Sequence, residues 1–465
     1  LVAPVSDRRS IRSALNAVFV LVSLASLGAC KTFADQTLRT RNALDAHDPQ
    51  EALRASNAAL HVRGADKIPE SLEKNDALLL LDRAMVLQAL SKYQASSRDF
   101  EVADKALEIL DFSRTPANEI ARYLFTDTTG PYKARPYEKL MLNSLNMVNY
   151  LALGNLEGAR VEARRFTVMR DFLKGEKGRN RSDVGRQGVV GSYLAGYTFE
   201  QSGNAEEALR YYDEALQSAE LSSLAEPVRR LMQRTGYRTP VLDSASKRAE
   251  SSPASAHAPD AELLILVSYG RVPAMQARRV PIGLALSVAA AFLPVGMEKE
   301  ALRLAGQGLV TWVNYPELGP SVAYPEPVVR IDGVVRTFEP VADVDAIARQ
   351  AWEQSKGRVM AAAVIRMVAR GAIGAGVGVA TGKATDRSGL GVLAALVTQA
   401  GLAAADKPDT RSWATLPAHI GVVRTRVPAG TRRIEVQIAG RLYTTEVSLD
   451  AGQWVLVDIT DLSRT

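Results

Sequence analysis

Few side chains in this sequence are spaced for chemistry. One cysteine, Cys30, and four histidines, His47, His61, His257 and His419, stand far apart. Neither a disulfide framework nor a Cys/His metal site can be built from sequence neighbours. The signatures HExxH, GxSxG and CxxC do not occur. Gly382-Lys383 is placed like the end of a phosphate-cradling loop, but Val377 stands where that loop needs glycine. Ala384 stands where Ser or Thr must hold magnesium, and Gly376 and Gly378 are followed by Gly382, which breaks the GxGxxG spacing. The expectation is a chain without enzyme activity, cofactor, metal or nucleotide. The densest charged cluster is Glu162, Arg164 and Arg165, on a stretch of helical periodicity. It reads either as a solvated, salt-bridged face or as a contact for a partner.

The composition narrows the setting. Of 465 residues, 47% are hydrophobic, 23% charged and 6% aromatic, which suits globular domains and neither a disordered chain nor a polytopic membrane protein. The length suggests two or three domains. Fifty-seven Lys and Arg against 51 Asp and Glu give a mild +6, without a basic run of five, so nucleic acid is not an expected partner.

The N-terminus reads as an address. Arg8, Arg9 and Arg12 precede an uncharged apolar run over residues 13–27, the length of a secretory core and short for a membrane span. It ends in Leu27-Gly28-Ala29-Cys30, which resembles the lipobox of bacterial lipoproteins, with residues 1–29 as signal peptide and Cys30 as the lipid-modified first residue. Lys31 is not the Asp that usually retains such a lipoprotein in the inner membrane, so the resemblance implies an outer-membrane anchor facing the periplasm, held by acyl chains such as palmitate.

Residues 30–243 read as helical repeats. Asn149-Tyr150-Leu151-Ala152-Leu153-Gly154-Asn155-Leu156-Glu157-Gly158-Ala159 aligns with Thr198-Phe199-Glu200-Gln201-Ser202-Gly203-Asn204-Ala205-Glu206-Glu207-Ala208. In both, an aromatic precedes the glycine by four residues and an alanine follows it by five. The pattern looks like the tetratricopeptide helix–turn–helix unit: Gly154 and Gly203 close a first helix, while Ala159 and Ala208 let a second approach closely. Weaker copies are expected at residues 48–60 and 98–110, with Ala52 and Ala103 in the equivalent place. Stacked units present a concave groove suited to peptide or protein ligands.

Residues 244–260, rich in Ser, Ala and Pro, read as a linker. Beyond it, residues 261–465 change period. Strands are expected at 262–269, 278–282, 420–427, 433–439, 442–449 and 453–459, with a hairpin over 328–338 turning at Asp332-Gly333. Between the batches, around 344–405, lies an apolar helix pair. Gly374, Gly378 and Gly382 share one helix face as a glycine zipper, and residues 389–405 carry no charge. That pair is expected to pack against the sheet; the alternative is a membrane-active or translocation hairpin.

The whole resembles a poorly characterised family of tetratricopeptide-type lipoproteins of Gram-negative bacteria. The resemblance is carried by Tyr137-Glu138-Lys139, Asn149-Tyr150-Leu151, Ala159-Arg160-Val161-Glu162-Ala163-Arg164-Arg165, Gly270-Arg271-Val272-Pro273 and Asp409-Thr410-Arg411-Ser412-Trp413-Ala414-Thr415-Leu416-Pro417. In the last segment, an Asp–Arg ion pair with the indole turned inward would lock the approach to the final strands. The expected fold is α+β, a tetratricopeptide-like helical domain followed by a β-rich, sandwich-like domain. The expected function is a non-catalytic interaction scaffold for envelope proteins, held at the membrane by its lipid.

Overall fold

The computed structural model describes residues 33–108, 132–176, 180–250, 260–382 and 408–464, apart from 74, 133 and 309; residues 250 and 370–382 are described by backbone alone. Cys30, the signal segment and residues 389–405 lie outside the described residues.

The first half is built from helix hairpins closed in one way. The pairs are α1 (Phe33–Asp45) with α2 (Pro49–Ala59), α3 (Asp76–Ala89) with α4 (Tyr93–Glu108), α5 (Pro136–Ala152) with α6 (Leu156–Gly175), and, after the short α7 (Arg181–Gln187), α8 (Val189–Gln201) with α9 (Ala205–Leu216). Each turn holds one residue at positive φ, namely His47, Ser91, Gly154 and Gly203. The next amide donates back to the first helix: Asp48 to Ala43, Lys92 to Leu87, Asn155 to Tyr150 and Asn204 to Phe199, at 2.8–2.9 Å. This closure satisfies carbonyls the helix end would otherwise leave open. Asp48, Asn155 and Asn204 then cap the second helix by accepting an amide hydrogen from Glu51, Gly158 and Glu207.

Five residues past each turn residue stand Ala52, Ser96, Ala159 and Ala208, all fully buried where the paired helices cross. The expected copy with Ala103 is therefore out of register: helix α4 begins at Tyr93, and Ser96 holds the equivalent place. Its hydroxyl is accommodated by donating to the Ala84 carbonyl at 2.8 Å and accepting from Asn149 at 2.9 Å. A fifth pair, α10 (Ala225–Thr235) and α11 (Pro240–Glu250), closes the array. Helix α11 runs into the stretch whose composition suggested a linker, because Leu242 and Ala245 share a buried face.

Among the described residues, the second half holds ten strands in three sheets. Strands β1 (Asp260–Tyr269), β6 (Glu339–Asp343), β7 (His419–Pro428) and β10 (Trp454–Asp461) form one sheet in the order β10-β1-β7-β6, with β1 parallel to β10 and antiparallel to β7. Strands β4 (Val328–Ile331), β5 (Val334–Arg336), β8 (Gly430–Ile438) and β9 (Arg441–Leu449) form the second, in the order β5-β4-β8-β9. Strand β1 is covered on both faces. Leu263, Ile265 and Val267 meet Val329, Ile434 and Val436 of the second sheet. Leu264 and Leu266 belong to the core of the helix array. The period of two along the strand thus sorts its side chains into two cores.

A third unit has its own core. The hairpin of β2 (Met275–Pro281) and β3 (Trp312–Leu318) packs with α12 (Ile282–Ala289), α13 (Met297–Gly306) and the long α14 (Val344–Gly382). Strands β3 and β6 and helices α12 and α13 were not among the sequence expectations. The expected strand end at Ile282 is the first residue of a helix. Of the expected helix pair, α14 is described and the second member is not.

Where array and first sheet meet, the contacts are charged and buried. Arg424 on β7 donates to Glu200 Oε2 on α8 at 2.8 Å, to Glu262 Oε1 on β1 at 2.7 Å and to the Tyr212 hydroxyl on α9 at 2.9 Å. Its guanidinium also lies 5.0 Å from the Tyr197 ring centre. Arg230 on α10 supplies a second cation to Glu200, at 2.5 Å. These partners raise the Arg424 pKa against its burial, and they hold Glu200 below the usual carboxylate value.

Two substitutions test this account. Arg424→Met should cost about 3 kcal/mol, the low end for a broken buried pair, because it leaves Glu200 and Glu262 with Arg230 alone; urea unfolding measures it, and a loss below about 1 kcal/mol would contradict the network. Ser91→Gly should add about 1 kcal/mol by relieving a side chain held at φ 55°; an unchanged or lower unfolding midpoint would refute the shared closure.

Candidate functional site

The first helix of each regular hairpin sends one carboxylate toward the β half: Asp45 from α1, Asp82 from α3, Glu138 from α5 and Glu200 from α8. Asp45 accepts from Arg271 at 2.8 Å and from the Arg464 amide at 3.0 Å. Asp82 accepts the amide and hydroxyl of Thr415, each at 2.9 Å. Glu138 accepts the Trp413 amide at 3.2 Å, and Glu200 binds Arg424. Residues 409–417 therefore form a strap over the array. Arg411 pairs with Asp409 at 2.6 Å, and the Trp413 ring sits edge-on to Phe100 with centroids 5.9 Å apart. The ion pair and inward indole expected of this segment are both present. Three of the sequence segments that carry the family resemblance, around Glu138, Arg271 and Trp413, meet at this seam.

The face of the array formed by its first helices is occupied by the chain's own sheet and strap: α3 and α5 pack on β10, and α8 packs on β6.

An open groove lies elsewhere, between α4, α5 and α6. It encloses about 410 Å³ and is lined by Asp104 and Leu107 from α4, Lys139, Leu142 and Asn143 from α5, and Val161, Arg164, Arg165, Val168, Met169 and Phe172 from α6. The volume falls in the range of ordinary ligand sites. Val161, Val168 and Phe172 are 45%, 71% and 41% exposed, an apolar stripe at helical spacing on an outward face. Three cations and one carboxylate line it, so its charge is net positive.

The charged cluster picked out in the sequence sits here, in three different roles. Glu162 lies under the groove, accepting from Asn143 at 3.0 Å and Arg165 at 3.1 Å. Burial pushes its pKa up to about 7, against the pull of Asn143 and Arg165. Arg165 bridges Glu162 and, at 3.7 Å, Asp104. Arg164 is exposed and makes no ion pair among the described residues. Gly154 and Gly203 occupy turns, and Ala159 and Ala208 helix crossings; none of the four lines the groove. Sequence reading missed Val168 and Phe172, although both follow the Arg164–Arg165 pair at helical spacing.

His419 stacks on Tyr269 with centroids 5.1 Å apart, and its Nδ1 is 3.6 Å from Asp343; His47 Nδ1 is 3.9 Å from Asp461. Among the described residues no group of three or more His, Cys, Asp or Glu could hold a metal ion, and no helix is long and apolar enough to cross a membrane.

No protein-family model and no curated protein matches the chain. Among solved structures it is similar to a crystal structure of MamA, at 11% identity and TM-score 0.28, over 45% of this chain and 90% of that one. It is also similar to the MamA RS-1 ArsTM double mutant, at 14% identity and TM-score 0.29, over 47% and 98%. Likenesses this distant carry no argument about function.

Three buried carboxyls set the pH response. Burial raises Asp82, Asp458 and Glu162 to about 7 each. A carboxyl raised in the folded state stabilises the fold while protonated, fully below about pH 4 where the unfolded chain is protonated too. That contribution is lost as pH rises through about 7. The urea midpoint should therefore be lower at pH 8 than at pH 6. Asp82→Asn should stabilise the chain more at pH 8 than at pH 5, by about 2–3 kcal/mol at about 1.4 kcal/mol per pK unit. An equal effect at both pH values would show that Asp82 is ionised in the fold.

Proposed function

We propose that this chain is a non-catalytic interaction scaffold of the bacterial envelope, held at the outer membrane by lipid on Cys30 and facing the periplasm. Its helix hairpins, read as tetratricopeptide-type units, and its sandwich-like β half act as one platform. The partner site is the α4–α5–α6 groove. The observation that carries this reading is the exposed stripe of Val161, Val168 and Phe172 beside the unpaired Arg164, on the side of the array that its own β half leaves uncovered.

The groove asks for a peptide segment with apolar anchors and a nearby carboxylate. The anchors would fill the space between α4 and α6, as central hydrophobic residues do in other interfaces. Arg164 would meet the acid at the rim. The buried Glu162 and its half-exposed partner Arg165 hold α6 in place and need not touch the partner.

Selection from a random peptide display library on the full chain tests the reading. Enriched peptides should pair apolar side chains with Asp or Glu, and Arg164→Glu should weaken them about tenfold, or about 1.4 kcal/mol. Val168→Asp with Phe172→Asp should abolish binding. Peptides that bind this double variant as well as the parent chain would place the partner surface elsewhere.

A further inference from the structure

A second surface lies on the unit formed by β2, β3, α12, α13 and α14. Residues 281–296 contain no charged side chain. Helix α12 turns Ile282, Ala285, Leu286 and Ala289 inward against α14. Its outward side and the turn that follows carry Leu284, Ser287, Ala291, Phe292 and Val295. Leu284 is 55% exposed and Val295 fully so, and Leu302 of α13 adds a further half-exposed leucine. A surface helix of a globular protein carries charge on its outer side. Here Ser287 is the polar residue on that side, and Leu284 and Val295 stand open among the described residues.

The rim has a different chemistry from the groove. Trp312, 43% exposed at the start of β3, carries Arg279 over its ring at 5.3 Å. Phe292 lies so close over Gly357 that a Cβ there would stand 2.4 Å from the ring, and Arg358 caps that ring at 5.8 Å. Arg279 and Lys299 make no ion pair among the described residues. Aromatic rings carrying guanidinium groups around an uncharged apolar patch suit the boundary between acyl chains and anionic headgroups.

From this charge complementarity and the uncharged patch it encircles, we propose that the α12–α13 tip docks on an anionic lipid surface. Leu284 and Val295 enter the acyl boundary, Phe292 stays packed on Gly357 beneath them, and Arg279 and Lys299 meet headgroup phosphates. No described helix is long enough to span, so the contact is shallow insertion. The inference stands apart from the partner groove, which lies on other helices, and from the glycine-zipper hairpin.

Trp312 reports the contact directly. The full chain carrying Cys30→Ala, so that no acyl chain tethers it, is mixed with vesicles of phosphatidylcholine and phosphatidylglycerol with brominated acyl chains. Trp312 emission is taken as the difference from the same chain with Trp312→Phe. Bromine should quench it, and quenching should disappear with Leu284→Asp and Val295→Asp together. Arg279→Glu with Lys299→Glu, or vesicles of phosphatidylcholine alone, should weaken it. Both Asp substitutions are at exposed positions, and unchanged circular dichroism checks the fold; Leu302→Asp is the second variant if they perturb it. The proposal is overturned if Trp312 stays unquenched while the chain still sediments with the vesicles, which places the contact elsewhere. It is also overturned if Trp312 is shielded from aqueous acrylamide without vesicles, which means the chain's own residues 389–405 or another copy cover the tip.

Discussion

Polar pairing across a largely buried seam fixes how the two halves of this protein meet. Asp45, Asp82, Glu138 and Glu200 project from four hairpins into a seam whose partners are Arg271, the backbone and hydroxyl of Thr415, the Trp413 amide and Arg424. An unpaired ion at such a site costs several kcal/mol, so each half leaves the other's polar groups stranded if it unfolds alone. The apolar contribution runs through the same surface, where Leu264, Leu266, Ile420 and Leu456 of the sheet join the array's core. Hydrophobic burial favours contact without choosing a register; the four carboxylates need donors at fixed positions across the seam and so choose it.

The hairpins show how far a repeat can be read from residue type. Gly154 and Gly203 are visible because glycine enters the left-handed region at no steric cost. His47 and Ser91 hold the same conformation and make the same return hydrogen bond, but neither residue type announces it. What repeats is the backbone, and side chains record it only where the strain was removed. The misplaced copy at Ala103 has the same origin: the crossing position demands a small buried residue, and Ser96 meets that demand with a hydroxyl that needs two hydrogen-bond partners.

The β half was legible where one face is wet. Alternation marks β8, where Ile434, Val436 and Ile438 are buried between polar neighbours. It fails for β1, which is buried on both faces and reads as a plain apolar run, and for the short β6, which joins the sheet through an irregular register at Pro340 and Ala342. Helix α12 was hidden because its outer side lacks the charged residues that mark helical period. The seam's ionic partners were illegible for another reason. Arg424 and Glu200 are distant in sequence, and nothing local distinguishes a buried arginine from an exposed one. The charged cluster of α6 was legible as a cluster; its division into a buried acid, a bridging arginine and a free arginine required α4 and α5 to be in place.

The first-helix face of the array is filled by the chain's own sheet, so the proposed groove and tip both lie outside it, and their relative position matters. Helix α7 connects them. It follows α6, which lines the groove, and packs against it. Its Asp183 accepts hydrogen bonds from Gln350 and Gln354 of α14, both at 3.0 Å. Helix α14 in turn supplies the wall against which α12 folds, through Val359, Ala363 and Val364. Groove and tip are thus ends of one chain of packed helices, with the two glutamine bonds as its polar joint. Its ionisable member is Asp183, which, against its desolvation, the hydrogen bonds from Gln354, Arg186 and Gln350 hold below the usual carboxylate value. The groove-lining helix α6 and the α12 tip are therefore held at a fixed attitude to one another, and that attitude is set by the packing of α7 and α14 between them.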